Sequence, residues 1–352
     1  AADRAVSPAD GGTGWRRGWP PKKTESRRGG RPGGRPPLRP CRMPPYPSPL
    51  LPCRTPQYLF SPPALPDATL PFSPPALPDA LPISSVAGRC LALGLKARGW
   101  RVFASVRQEK DLASLRADGL ESMVLDLRSS GSIRAAVDEV LAQTGGTLDA
   151  LINNGAYGQP GAVEDLTRAA LREQFETNLF GTQELTNLLL PVMRRQGHGR
   201  VIQVSSLLGI VCLAYRGAYN ASKFALEALT DTLRLELRGT NIHLVLVEPG
   251  PITSRFRANA FEAYRRNIDK TKSAHREYYE RVERRLGGEK PLPFTLPPEA
   301  VLEKVIHALE ARKPKLRYPV TFPSHAFTWV RRLLPGRALD WVLAKVSDGG
   351  QR

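Results

Sequence analysis

Tyr219 and Lys223 are the residues of this chain best placed to move a proton. They stand four apart at the head of a helical pattern in which Ala221, Ala225, Ala228, Leu229, Leu233 and Leu237 recur every three or four positions. Residues four apart share a helix face, so the phenol and the ammonium can enter one pocket. A free phenol has a pKa of about 10 and exchanges protons poorly at neutral pH. A fixed cation within a few ångströms favours the phenolate and brings it toward the working range. The resulting chemistry is proton transfer to or from an alcohol oxygen. Taken alone, Tyr-x-x-x-Lys is a weak signal, because an aromatic and a solvated lysine on a surface helix satisfy it equally well.

The elements around this pair give it context. Arg200-Val-Ile-Gln-Val-Ser-Ser206 reads as a buried strand ending in two hydroxyls, and Ser206 precedes Tyr219 by 13 positions. Leu151-Ile-Asn-Asn-Gly155 is another buried strand running into a turn, and Leu244-Val-Leu-Val-Glu-Pro-Gly-Pro-Ile252 a third. Asn178-Leu-Phe-Gly181 lies inside a helical pattern that runs from Leu166 to about Leu190 and is expected to stop at Pro191. Further strands are expected at 102–106, 123–126 and 316–320, and further helices at 89–99, 111–117, 133–142 and 297–311. Strands alternating with helices predict an α/β fold: a Rossmann-type, doubly wound parallel sheet in a three-layer α/β/α arrangement.

These residues, in this order and spacing, resemble the short-chain dehydrogenase/reductase family from about Ser84 to the C-terminus. The resemblance implies an oxidoreductase that interconverts a hydrophobic alcohol with its aldehyde or ketone, using a tetrad of Asn178, Ser206, Tyr219 and Lys223. Tyr219 would exchange the proton and Ser206 would hold the substrate oxygen. Lys223 would lower the tyrosine pKa and bind the nicotinamide ribose, while Asn178 would hold a water linking Lys223 to solvent. Ser205 is the rival to Ser206, which alone has the family's spacing to the tyrosine.

The implied cofactor residues are Ser84, Ser85, Gly88, Arg107, Asp126, Leu127, Asn153, Gly155, Tyr219, Lys223, Pro249, Gly250, Ile252 and Ser254. Arg107 follows the second strand, where an acid would accept the 2′-hydroxyl of NAD; a guanidinium suits a 2′-phosphate and places NADP ahead of NAD. A solvated arginine at a strand end is the alternative. Asp126-Leu127 matches the adenine-contacting pair, and Asn153 and Gly155 match the Asn-x-Gly that supports the central sheet.

The pattern breaks at its start. The family's first strand runs into Thr-Gly-x-x-x-Gly-x-Gly, with the pyrophosphate on the next helix N-terminus. Here Gly88 holds the third glycine position, Val86 the second and Pro82 the first. Proline removes a ladder donor, so Ser73 to Pro82 is not expected to supply a central strand. The first strand and part of the glycine-rich loop are therefore expected to be missing or replaced. An alternative follows: a catalytically impaired product of a truncated gene that binds cofactor poorly.

Composition separates residues 1–82 from the rest, since 21 of the 33 prolines fall there. Arginine and glycine fill much of the remainder, and Ser61 to Ala68 returns unchanged as Ser73 to Ala80. Such a segment is expected to be a disordered leader foreign to the folded protein, with a transit peptide or a Pro-rich recognition segment as alternatives. The expected domain spans 83–352, with a substrate-covering segment at about 253–292 and an amphipathic tail at about 322–352.

The net charge of +18 in 352 residues first suggests nucleic acid or acidic membranes, but it is spread along the chain with no nucleic-acid motif. The tail, with Trp329, Leu333, Leu334, Leu339, Trp341 and Leu343 among arginines, could form a homo-oligomer contact, a substrate wall or a peripheral membrane contact. A basic membrane-surface or partner-binding protein is the remaining alternative. The four cysteines lack ligand or disulfide spacing, and a cytoplasmic location and no metal are expected.

Overall fold

In the computed structural model, which describes residues 81–82, 86–286 and 292–349, parallel strands alternate with helices along the chain. The leader expected over 1–82 lies outside these residues apart from Leu81 and Pro82, as do Ser84 and Ser85. The strands are β1 (Leu81–Pro82), β2 (Phe103–Val106), β3 (Glu121–Val124), β4 (Ala150–Asn153), β5 (Gly199–Val204), β6 (Ile242–Glu248) and β7 (Arg317–Pro319). The helices between them are α1 (Val86–Ala97), α2 (Leu112–Ala117), α3 (Ser130–Gln143), α4 (Arg168–Phe175), α5 (Gly181–Gln196), α6 (Gly217–Glu236), α7 (Phe256–Asn267), α8 (Arg276–Leu286) and α9 (Glu299–Glu310). Two more, α10 (Phe322–Leu333) and α11 (Gly336–Gly349), close the described chain.

Every strand pairing is parallel, in the order β1-β2-β3 and β4-β5-β6-β7. Alternation along each strand divides the core into two layers. Ala104, Ile152, Ile202 and Val245 face a layer shared with Leu91 and Leu95 of α1 and with Val301 and Val305 of α9. Phe103, Leu151, Val201 and Leu244 face the other, with Ile133 and Val137 of α3 and Leu185 and Leu189 of α5. The sheet is thus covered on both sides, the three-layer arrangement that the patterning predicts.

Among the described residues, the first strand is represented by Leu81 and Pro82. Leu81 pairs with Ala104 and Pro82 with Ser105, so the last two residues of the proline-rich segment do occupy a strand position beside β2. Among the described residues no ladder joins β1 to β4, and the sheet is interrupted there. A proline has no N–H to donate to a second neighbour.

Pro191 does not end its helix, contrary to expectation: α5 runs through it to Gln196 and stops at Gly197, whose φ is 82°. Pro191 and Asn187, whose carbonyl loses its helical donor, are both exposed, while Leu189, Leu190, Val192 and Met193 are buried. Water can serve the freed carbonyl, and core burial holds the helix together.

The charged stretch after Pro249 folds as α7 and α8. Tyr264 and Tyr279 are buried with Ala162, Leu166, Ala218 and Ile268, so the aromatics scattered among the charges form one cluster over the 162–166 loop. The tail forms two helices; Leu343, Leu339 and Phe327 pack on Leu207, Ile210 and Val211, whereas Phe322, Trp329, Leu333 and Trp341 are exposed. Among the described residues no helix is long and apolar enough to cross a membrane.

Candidate active site

The candidate tetrad gathers at the carboxyl ends of β4 and β5. Ser206 follows β5 in extended backbone (φ −166°, ψ 159°), and its Oγ accepts from Leu208 N at 3.1 Å, fixing the tight turn over Leu207–Gly209. Tyr219 sits in the first turn of α6, buried, beside Ser206. Lys223 follows one turn later, 2% exposed, and donates to the Val204 carbonyl at 2.8 Å. Ser205 Oγ is buried without a hydrogen-bond partner, and of the two adjacent hydroxyls Ser206 is the one beside the tyrosine.

The electrostatics depart from expectation. Burial pushes the Tyr219 phenol up to about 12, against the opposing pull of the Ser206 hydroxyl and the Arg216 cation. Burial pushes the Lys223 ammonium down to about 8, opposed by Glu227. Lys223 Nζ lies 5.9 Å from the centre of the Tyr219 ring, and the cation acting on the phenol is Arg216. Burial thus favours the protonated phenol.

Asn178 lies in a π-turn, Glu176–Phe180, inserted between α4 and α5. Such turns are common at functional positions, because one extra residue re-aims the side chain. Its Oδ1 accepts from Tyr157 N at 3.2 Å, while Nδ2 donates to Tyr157 O at 3.0 Å and to Ser222 Oγ at 3.1 Å. The carboxamide thus clamps the loop after β4 to α6.

The candidate cofactor residues occupy the carboxyl ends of the strands, where an open α/β sheet takes a dinucleotide. Gly88 is buried in the first turn of α1 and Arg107 is exposed directly after β2. Asp126 and Leu127 follow β3, and Asn153 and Gly155 lie at the end of β4. Pro249, Gly250, Ile252 and Ser254 follow β6, with Ser254 Oγ accepting from Phe256 N at 3.3 Å. Asn153 Nδ2 donates to Thr186 Oγ1 at 3.0 Å, bracing β4 against α5.

Two glycines are fixed by close approach. A Cβ at Gly181 would lie 1.8 Å from the Leu127 carbonyl oxygen, and one at Gly250 would lie 2.1 Å from Thr321 Oγ1. The loop after β3 thus rests directly on the N-terminus of α5.

These residues fit a nicotinamide dinucleotide at its two ends. Asn153 Oδ1 and Asn154 Nδ2 are buried at the strand ends without a hydrogen-bond partner in the protein. Unmet polar atoms at such a place suit a polar ligand. The pyrophosphate loop, with Ser84 and Ser85, falls outside the described residues.

Several neighbours of the site escaped the sequence reading. Arg128 forks onto Asp126, Nη2 to Oδ2 at 2.8 Å, and holds that carboxyl below its usual range. Phe256 meets the Tyr219 ring edge-on, with centroids 5.3 Å apart. Glu227 stands one turn beyond Lys223, a spacing visible in the sequence. Arg317, which binds Glu227, and Glu248 come from distant strands and carry no local signal.

A family model described as short chain dehydrogenase matches residues 84–265. An oxidoreductase of Escherichia coli K12, YbbO, is 40% identical over 260 residues, covering 74% of this chain and 91% of the relative. The NADPH-dependent 3-dehydrocapnine reductase of Ornithobacterium rhinotracheale is 30% identical over 271 residues, covering 75% of this chain and 94% of the relative. A solved short-chain dehydrogenase of Streptomyces avermitilis superposes with a TM-score of 0.60 at 28% identity, covering 78% of this chain and 98% of that one. With a parallel sheet wrapped on both faces and a match across more than half its length, the chain belongs to the short-chain dehydrogenase family of oxidoreductases.

Proposed function

We propose that the protein reduces a hydrophobic aldehyde or ketone, or oxidises the matching alcohol, with NADP as its preferred cofactor and Asn178, Ser206, Tyr219 and Lys223 as its working residues. The observation that carries this reading is the placing of two buried hydroxyl side chains, Ser206 beside Tyr219, with Lys223 one turn along the same helix. When bound, the dinucleotide supplies or accepts the hydride. Ser206 and Tyr219 hold the substrate oxygen between two hydroxyls. In reduction Tyr219, kept protonated by burial, gives its proton as negative charge develops on that oxygen. Lys223 supplies a cation beneath the ring and reaches the ribose side of the site.

Arg107 is assigned to the 2′-phosphate, which the NADPH dependence of the Ornithobacterium relative supports. Asp126 is assigned to the adenine and Asn178 to holding the Tyr157 loop on α6. The apolar edge of Phe256 and the aromatic cluster under α7 and α8 support a hydrophobic substrate. The test is Tyr219→Phe. NADPH oxidation with a panel of long-chain aldehydes should fall by about two to four orders of magnitude, while NADPH binding followed by fluorescence changes little. A variant as active as its parent would remove Tyr219 from the chemistry.

A further inference from the structure

Beneath the catalytic face of α6 lies a charged cluster that the proposed reaction does not use. Arg317, on β7, forks toward three carboxylates. Its Nη1 binds Glu227 Oε2 and, at 2.6 Å, Glu248 Oε1; its Nη2 binds Asp231 Oδ2 at 2.6 Å. Arg234 adds a second cation on Asp231 at 2.7 Å. Glu248 and Glu227 are only 1% and 6% exposed. A buried cluster of this kind is costly to assemble and seldom adds net stability, so a positional role is the more telling question.

Position gives an answer. Glu227 follows Lys223 by four residues on α6, so the two side chains lie on one helix face. Ser205 Oγ, beside Ser206, and Glu227 Oε1 are both buried without a hydrogen-bond partner in the protein. A Cβ on Gly209 would sit 2.7 Å from Ser205 Oγ and 3.0 Å from Glu227 Cγ, so the turn carrying Ser206 is packed directly onto this carboxylate. Arg317 in turn ties Glu227 to Glu248, the last residue of β6, one position before the Pro249–Gly250 turn.

We propose that Glu227, clamped by Arg317 against Glu248 and Asp231, is a positioning residue that holds Lys223 as an ammonium and fixes the Ser205–Ser206 turn from the buried side of α6. This rests on the proposed role of Lys223 and deepens it. A lysine buried with only the Val204 carbonyl as acceptor would tend to lose its proton; an adjacent carboxylate opposes that loss. The charged groups that set the field are Glu227, Asp231 and Arg234 from α6, Glu248 from β6 and Arg317 from β7. Glu248 shares Arg317 with Glu227, and burial and Glu227 hold its carboxyl up at about 7.

The experiment labels the full chain with [13Cε]lysine and follows the Lys223 resonance, assigned by its loss in Lys223→Met, against pH. In Glu227→Gln, which keeps the shape and removes the charge, the midpoint of Lys223 should fall by about one unit. Glu248→Gln should lower it by less. An unchanged midpoint in a folded Glu227→Gln protein overturns the proposal. If that variant does not fold, an unchanged midpoint in Glu248→Gln does the same. Failure of the proposed function reads differently: a reductase still active as Lys223→Met would remove Lys223 from the reaction while leaving the titration result to stand.

Discussion

The two halves of the sheet are built to different standards. On one side, β5 and β6 run six and seven residues, pair in full register and deliver Ser206 and the Pro249–Gly250 turn from their ends. On the other, β1 has two residues and β2 and β3 four each, and the ladder stops between β1 and β4. The residues assigned to proton transfer all come from the longer half. Those assigned to the pyrophosphate and adenosine come from the shorter one. Hydride transfer requires both, because a nicotinamide held a fraction of an ångström out of place reacts slowly. Placing proton-moving residues and anchoring a dinucleotide are thus separate demands on the fold, assigned to different strands.

Lengthening the shorter half should produce the largest effect. Replacing residues 73–82 with an uninterrupted apolar strand, together with Val86→Gly, should raise kcat/KM with NADPH by about a hundredfold or more. Steady-state NADPH oxidation before and after the repair measures it. Equal rates would mean that two residues of β1 anchor the cofactor as well as a full strand.

The contact joining the halves comes next. Gly181→Ala drives a methyl into the Leu127 carbonyl at 1.8 Å, so either the loop after β3 or α5 must move. A loss of about 2 kcal/mol in urea unfolding is expected, with weaker NADPH binding. A variant of parental stability would show that the two halves do not bear on each other there.

Cofactor choice should respond more modestly. With Arg107 at the 2′-phosphate as proposed, Arg107→Asp should lower the affinity for NADPH relative to NADH by about tenfold. Matching affinity ratios in parent and variant, read by fluorescence titration, would take Arg107 out of the site.

The smallest effect lies in the longer half. Because the folded Glu248 carboxyl is pushed up to about 7 from 4.5, the native state binds that proton more tightly than the unfolded chain. Its stabilising contribution is full below about pH 4.5 and is lost as pH rises through 7. Glu248→Gln mimics the protonated form, so its Tm should decline less between pH 5 and 8, by about 4 °C. Parallel Tm curves for parent and variant would show that Glu248 does not titrate in this range.

What the sequence reveals follows from how local each cause is. The strand containing Val201 and Ile202 and the helix carrying Ala225 and Leu229 declare themselves through period and burial, which are properties of short windows. The Ser206–Tyr219–Lys223 spacing is legible for the same reason. The run through Pro191 is not, because the burial of Val192 and Met193 that sustains it is a tertiary fact. Nor is the raised phenol of Tyr219: spacing places Lys223 nearby, but burial and Arg216 decide the balance. The grip of Arg317 on Glu227, 90 positions away, has no sequence period at all.

The π-turn at Glu176–Phe180 has one further consequence, for the phase of the helix it interrupts. Relative to a straight α-helix it is a one-residue insertion, worth about 100° of rotation between the faces before and after it. Upstream, Gln174 is in phase with the Tyr157 loop; downstream, Leu185, Leu189 and Met193 are in phase with the sheet. No substitution within 176–180 can reset that angle, but a single deletion can. Deleting one residue would let α4 and α5 fuse into a smoother helix that keeps its apolar face on the core. Asn178 and Gln174 would then turn away from Tyr157, leaving a protein with a better helix and a looser floor to its active site.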